Sequence, residues 1–132
     1  MREIKFRGKC KKDGKWYFGN LYDIDTYGRT HICTINGGCL NIDPNTVGQF
    51  TGLCDSVGNP IYEGDILRFG NSPNGVCEVK YNEVITAFCI RFLYFERYLG
   101  VRPLGDWVIC ERSIEIIGNI HDNPELFEGG EK

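Results

Sequence analysis

The sequence is poor in the residue patterns from which most active sites are built. Among 132 residues there are only two His and one Met, and the seven Cys form no Cys-x-x-Cys pair. A zinc site needs Cys or His at characteristic spacings, and thiol catalysis needs a His beside the Cys. No phosphate loop is present either, because Gly37-Gly38 is not followed by Gly-Lys-Ser/Thr. We therefore predict a protein that is not an enzyme and has no catalytic residues, metal or cofactor.

Long apolar runs and a secretory signal are also missing. The longest apolar run lies near Val84–Ile90, which is far too short to cross a bilayer. Arg-Glu-Ile-Lys follows Met1, with no apolar segment of a signal peptide. The odd number of scattered Cys is a poor disulfide framework, and several lie in apolar runs where a reduced Cys acts as a small hydrophobe. We predict reduced thiols, a cytoplasmic location and no membrane partner.

Glycine and alternating apolar residues are abundant, which favours β structure. The 17 Gly are well above the usual share of about 7%. Ile4–Arg7 alternates, Asp13-Gly14 is a hairpin turn, and Trp16–Tyr22 is the second strand of the hairpin. Asp122–Phe127 predicts a capped helical turn. The other predicted strands are Thr30–Thr34, Cys39–Ile42, Val47–Leu53, Ile66–Phe69, Val76–Tyr81, Val84–Phe95, Trp107–Cys110 and Ile114–Ile120.

Three runs of sequence carry a family resemblance: Ile4–Leu21, Val47–Leu67 and Ile114–Leu126. The middle run contains Gly-Gln-Phe-Thr-Gly-Leu and Tyr-Glu-Gly-Asp-Ile. Taken together, the three runs resemble the YopX family of small phage and prophage proteins. The resemblance implies a mainly β chain that forms a single unit, 1–132. It also implies an N-terminal β-hairpin and meander region (1–45), an SH3-like barrel region (46–132) and an origin in phage DNA, with the bacterial host cytoplasm as the location. It carries over no catalytic residue.

Two groups of potential ligands were weighed against structural roles. Glu63 and Asp65 flank Gly64, where an Asp carboxylate accepts backbone amides at a sharp turn; the alternative is an acid–base pair or a cation site. His31 and Cys33 share a strand face, with Cys39 across a turn and Asp43 beyond, so zinc is the alternative to buried thiols. We favour the structural interpretation of both groups.

Charge is distributed unevenly along the chain. The net charge is −3, yet residues 1–22 hold seven Lys or Arg against two Asp or Glu, a local balance of +5. Residues 23–67 carry a balance of −5. The basic segment is either a phosphate-facing patch or a charged strand that pairs with acidic neighbours, and the second interpretation is favoured.

Basic residues alternate with aromatic ones in two places. The first cluster combines Lys5-Phe6-Arg7 with Lys15-Trp16-Tyr17, and the second runs through Arg91–Tyr98 and continues to Arg102. Exposed rings stack on bases while Arg and Lys contact phosphates, but the 17 aromatics of a small β protein also fill its core. From the second cluster we predict one candidate binding surface, formed by Arg91, Tyr94, Arg97 and Tyr98.

The leading functional hypothesis is a phage-derived, non-enzymatic accessory protein that acts as a binding or assembly module. We expect a homo-oligomer, because small β proteins cover exposed strands by self-association, and a protein or nucleic acid as partner. The alternative is a β-barrel protein that binds single-stranded nucleic acid. An acidic pI of about 5.4 argues against that alternative, since nucleic-acid-binding domains are usually basic.

Overall fold

The computed structural model describes residues 2–22, 27, 29–70, 75–92, 103–110 and 113–128. Within these ranges the chain is mainly β, as the sequence predicts, and it forms two antiparallel sheets and short helices. The strands are β1 (Phe6–Lys9), β2 (Trp16–Tyr22), β3 (Thr30–Cys33), β4 (Cys39–Ile42), β5 (Gly48–Cys54), β6 (Pro60–Tyr62), β7 (Asp65–Phe69), β8 (Val76–Asn82), β9 (Ala87–Phe92) and β10 (Ile114–Asn119). The helices are α1 (Leu104–Cys110), α2 (Glu125–Glu128) and a 3-10 turn at Pro44–Thr46.

The chain divides into two compact units, Met1–Gly52 and Leu53–Lys132. β5 begins in the first unit and ends in the second. The expectation that 1–132 is a single unit with regions 1–45 and 46–132 stays a prediction.

The first unit holds strands β4, β3, β2, β1 and the start of β5, which are neighbours in that order in a sheet of six strands that ends with β6. Its central hairpin turns at Asp13-Gly14, as predicted, and Gly14 has the positive φ of 70° that favours glycine there. The turn fixes the register that pairs Lys9 with Trp16 and Arg7 with Phe18. This register decides which side chains share a face of the sheet.

The outer edge of β4 bonds back to the end of β1. The Lys11 amide donates to the Asn41 carbonyl oxygen at 3.0 Å, and the Asp43 amide donates to the Lys9 carbonyl oxygen at 2.9 Å. Strands β1 to β4 therefore curl around one small core. Its fully or nearly buried members are Cys10, Ile32 and Ile42, with Phe6, Tyr17, Leu21, Leu40 and Val47 packed against them.

The second unit contains an antiparallel sheet with strand order β10-β7-β8-β9. Its core is larger and is rich in aromatic rings: Phe69 contacts both Phe92 and Trp107, with ring centroids 5.6 Å apart in each pair. The buried members of this core are Ile61, Leu67, Phe69, Cys77, Val79, Phe92, Leu104 and Ile114.

The predicted strand Trp107–Cys110 is wrong, because this segment lies in helix α1. Its Val and Ile residues favour a strand locally. The helix instead places Leu104, Trp107 and Val108 on one side at spacings of three and four residues, which is the periodicity of a helical face. All three pack on the core of the second unit, so tertiary packing outweighs local propensity.

The predicted strand Val84–Phe95 begins too early. Residues 83–86 form the turn between β8 and β9, because the Asn82 side chain accepts hydrogen bonds from the Val84 and Ile85 amides at 2.9 and 3.1 Å. Thr86 completes the turn with a φ of 53°. Val84 is therefore 90% exposed at the tip of a hairpin and does not lie within a sheet. Residues 93–95 lie outside the described residues.

A candidate binding surface on the N-terminal sheet

Side chains along β1 and β2 alternate between a face that packs on the core and an opposite face that carries cations and aromatic rings. Phe6 and Tyr17 pack on the core of the first unit. Side chains one residue away point to the opposite face of the sheet. We call the opposite face of the hairpin the basic–aromatic face, and its members are Lys5, Arg7, Lys9, Trp16, Phe18 and Tyr22.

The basic–aromatic face is organised by cation–π contacts between the two strands. The Arg7 guanidinium carbon lies 4.7 Å from the centroid of the Trp16 ring. Lys9 Nζ lies 5.8 Å from the same ring, and Lys5 Nζ lies 5.9 Å from the Phe18 ring. An exposed contact of this kind contributes only about 0.5–1 kcal/mol. Each of these cation–π contacts is therefore weak on its own and does not exclude a stronger ligand.

Exposure differs among the members of the face. Arg7 is only 8% exposed, so it supports the indole of Trp16 from within the face. Phe18 and Tyr22 are 43% and 48% exposed, whereas Lys5, Lys9 and Trp16 are half-buried. The rings of Phe18 and Tyr22 are thus the parts of this face that are best placed to contact a partner.

The turn beside the face carries more cations and one braced acid. Lys11, Lys12 and Lys15 are exposed there. Asp13 accepts a 2.6 Å hydrogen bond from the Tyr17 hydroxyl and a 2.8 Å bond from the Lys15 amide. The Tyr17 bond and then the Lys15 bond lower the pKa of Asp13, and the same bond to Asp13 raises the pKa of Tyr17. Asp13 is therefore an anion that fixes the turn.

The face contains only part of the first cluster found in the sequence. Phe6 and Tyr17 lie on the other side of the sheet and pack on the core. Lys9, Phe18 and Tyr22 belong to the basic–aromatic face, although the first cluster does not include them. The alternation of β1 was visible in the sequence, and so was the hairpin turn. Combining the two gives the cross-strand register, which is the signal that identifies Lys9 and Phe18 as members.

The surface predicted from the second cluster is described only at Arg91. Arg91 lies on β9 opposite Glu78, and its Nη2 forms a 3.3 Å ion pair with Glu78 Oε1. Tyr94, Arg97 and Tyr98 lie outside the described residues. The four-residue binding surface stays a prediction.

The carboxylates of the middle run have structural partners. Asp65 is 2% exposed, and its Oδ2 accepts the Tyr62 amide at 2.8 Å across the turn. This is the turn-stabilising role expected for it.

Asp55, one turn earlier, accepts the Asn59 amide at 2.8 Å and the Ile116 amide at 3.3 Å. Burial would raise the pKa of Asp55, but the hydrogen bonds from Asn59, Ile116 and Val57 outweigh it and lower the pKa. Its carboxylate ties the β5–β6 turn to β10.

The expectation of reduced thiols throughout is wrong for one pair. Cys33 and Cys39 form a disulfide with an S–S distance of 2.02 Å. They face each other directly in the β3–β4 register, with Cα atoms 4.0 Å apart, because the Asn36-Gly37 turn lies midway between them. Cys10, Cys54, Cys77 and Cys89 are free.

Metal ligands do not cluster in the described part of the chain. Within it, no three His, Cys, Asp or Glu side chains come together in a way that could hold a metal ion. Cys33 and Cys39, two of the four residues weighed for zinc, bond to each other.

None of the described helices has the length and apolarity needed to cross a membrane.

Comparison with known proteins gives a family and a fold. The family model described as YopX protein matches residues 5–128. The crystal structure of protein EF1440 from Enterococcus faecalis is similar, with a TM-score of 0.58 and 20% sequence identity over 96% of this chain and 99% of that chain. At this identity the likeness concerns the fold alone. No curated protein matches the sequence. Because the family match spans nearly the whole chain, the protein belongs to the YopX family.

Proposed function

We propose that the protein is a non-enzymatic accessory module of phage origin that acts in the bacterial host cytoplasm by binding an anionic macromolecule. The observation that carries this proposal is the basic–aromatic face. Three cations and three rings gather on one side of a sheet whose other side is its core.

Local charge supports an anionic partner more than the net charge does. The whole chain carries −3, but residues 1–22 carry +5, and the exposed lysines of the β1–β2 turn add to the cations of the face. Screening limits charge effects to about 8–10 Å at physiological salt, so a partner on this face is governed by the nearby cations. The acidic pI of the whole chain therefore does not argue against an anionic partner on this face.

Retention on a heparin column tests the proposal. The wild-type chain should require more salt for elution than a Lys5→Glu variant, because the substitution reverses one charge of the face. Lys80→Glu is the matched control, since Lys80 is an exposed strand residue of the second unit. Failure of the wild type to be retained at low salt, or equal shifts for the two variants, would contradict the proposal.

We also propose that the protein forms a homo-oligomer through the tip of the β8–β9 hairpin. Val84 is 90% exposed there, and Ile85 is 38% exposed. Apolar side chains presented together by a turn favour association. Light scattering after size exclusion should give a multiple of the 15.0 kDa chain mass, and Val84→Asp should shift it towards the monomer. A wild-type monomer at working concentration argues against this interface.

We propose further that the second unit is an SH3-like barrel. Strands β7, β8 and β9 are consecutive in the chain and pair in that order, and β10 returns to lie beside β7. The hairpin of β5 and β6 precedes them in the chain. These features support the proposal. An experimental structure of the full chain tests this: a sheet left open between β9 and the remaining strands would contradict it.

Among anionic macromolecules, single-stranded nucleic acid is favoured by the exposed rings of Phe18 and Tyr22.

A further inference from the structure

We propose that the anionic partner of the basic–aromatic face is single-stranded nucleic acid, with bases stacked on the rings of β2 and phosphates held by the lysines of β1 and of the β1–β2 turn. This inference rests on the proposed function. It assigns the ligand to the first unit and not to the surface predicted around Arg91 of the second unit.

The spacing of the rings favours unstacked bases. Trp16, Phe18 and Tyr22 lie on one face of one strand, and alternate residues of a strand are about 7 Å apart. Adjacent base pairs in a duplex are about 3.4 Å apart along the axis. Only a strand whose bases have separated can place successive bases on Trp16 and Phe18.

The position between Phe18 and Tyr22 is occupied by a polar side chain. Asn20 is exposed on the same face, and its amide group both donates and accepts hydrogen bonds. An amide between two rings suits the edge of a base, which also presents donors and acceptors. A duplex exposes base edges only in its grooves, whereas an unstacked base beside these rings also presents its pairing edge, so this arrangement suits a single strand.

The lysines are placed to exchange one contact for another. Lys5 rests over the Phe18 ring and Lys9 over the Trp16 ring. An incoming base replaces the ammonium group on the ring, and the lysine moves to the phosphate that accompanies the base. Base stacking on an aromatic side chain and release of counterions both favour this exchange. Arg7 remains beneath, where it holds the indole in place.

Fluorescence anisotropy with labelled oligonucleotides tests the inference. The probes are oligo(dT) and oligo(U) of about 12 nucleotides, within the usual site sizes of small binding modules, and a DNA duplex of equal length. At about 50 mM salt we expect both single strands to bind more tightly than the duplex. Affinity should fall as salt rises, as it does when phosphate contacts release counterions.

Ring removal separates stacking from charge. Phe18→Ala should weaken binding to the single strands by roughly 5- to 150-fold, the loss typical of one stacked base. Tyr81→Ala is the matched control, because Tyr81 has the same 43% exposure but lies on β8 in the second unit. Circular dichroism melting of both variants checks that they remain folded.

Charge removal gives a second, independent measurement. Lys9→Ala should lower the slope of log affinity against log salt by about 0.7, the value for one phosphate contact on a single strand. Lys80→Ala should leave the slope unchanged.

Each outcome bears on the inference. Preferred binding of single strands, lost in Phe18→Ala and kept in Tyr81→Ala, supports it. Equal or tighter duplex binding overturns it, and so does an unchanged affinity of Phe18→Ala. If heparin retention depends on Lys5 but no oligonucleotide binds at low salt, the proposed function stands and this inference fails. If neither heparin nor oligonucleotide binds, both fail.

Discussion

The two units use their aromatic residues differently. In the second unit, Phe69, Phe92 and Trp107 contact one another and lie in or against the core. In the first unit, the core is small and mostly aliphatic, while Trp16 and Phe18 lie on the other face of the sheet beside cations. Rings of the same kind therefore stabilise one unit and give the other its candidate binding surface.

This difference shows why aromatic content alone does not identify a binding site. Of the two basic–aromatic clusters in the sequence, the one that the structure describes is divided by the pleat of the sheet, with Phe6 inward and Lys5 and Arg7 outward. If the units differ as described, changes in the second should act mainly on stability, and changes in the first on both stability and binding.

The largest effect is expected from Leu67→Ala in the core of the second unit. Leu67 is fully buried between β8 and β10, and removing such a side chain leaves a cavity that destabilises by about 2–5 kcal/mol. Urea unfolding measures the loss, and amide hydrogen exchange locates it in the second unit. Val57→Ala is the control, because Val57 is 79% exposed in the second unit. If the free energy of unfolding of Leu67→Ala equals that of the wild type, burial of Leu67 does not stabilise the second unit.

Gly19→Ala should have the next largest effect, and it acts on the first unit. A Cβ atom at this position would collide with the carbonyl oxygen of Cys33, and forcing an extra methyl group into a packed site costs about 1–3 kcal/mol. Gly38→Ala is the matched control, since its nearest neighbour would be Thr34 Oγ1 at 3.9 Å. Urea unfolding compares the two. Equal stability of the two variants would mean that β2 and β3 are not held as closely as described.

Removal of the disulfide should destabilise the first unit by about 2 kcal/mol. Cys33 and Cys39 are six residues apart, and a cross-link that closes so short a loop removes little entropy from the unfolded chain. The double variant Cys33→Ser, Cys39→Ser is compared by urea unfolding with the wild type in oxidising and in reducing buffer. Wild type under reduction should match the variant under either condition. A stability independent of both changes would contradict the pairing.

The smallest effect is expected from acid, through Asp55 of the second unit. Amide hydrogen bonds lower its pKa in the folded state despite burial. Its contribution to stability is therefore complete above the unfolded value of about 3.9 and is lost as pH falls through the folded value. Unfolding curves of wild type and Asp55→Asn should differ near neutral pH and approach each other in acid. Asp106→Asn is the control, because Asp106 is exposed, and its stability should vary with pH as that of the wild type does. If the difference in stability between wild type and Asp55→Asn is the same at every pH, Asp55 does not cause the loss of stability in acid.

The hairpins were predictable because their turns are encoded locally. Asp13-Gly14 and Asn36-Gly37 provide the residues that tight turns need, and the flanking strands follow from alternation. Helix α1 was not predictable in this way, because Trp107 and Val108 take a helical spacing only when Phe69 and Phe92 offer a core to pack on. The tip at Val84 was missed because one side chain, Asn82, takes up the amides that a strand would have used.

The candidate site could be predicted only in part from the sequence. The sequence identified the basic start of the chain and its rings, but the register that places Lys9 opposite Trp16 depends on the turn and the alternation together. The disulfide required the same step, since Cys33 and Cys39 lie on either side of a predicted turn. Residue type was informative, and pairing across strands was the missing information.

The bonds from Lys11 to Asn41 and from Asp43 to Lys9 have a consequence for self-assembly. They occupy backbone groups on the outer side of β4, where another chain would otherwise add a strand to the sheet. Growth of the sheet into a continuous intermolecular ribbon is thereby blocked along this border, and copies of the protein that meet there must do so through side chains.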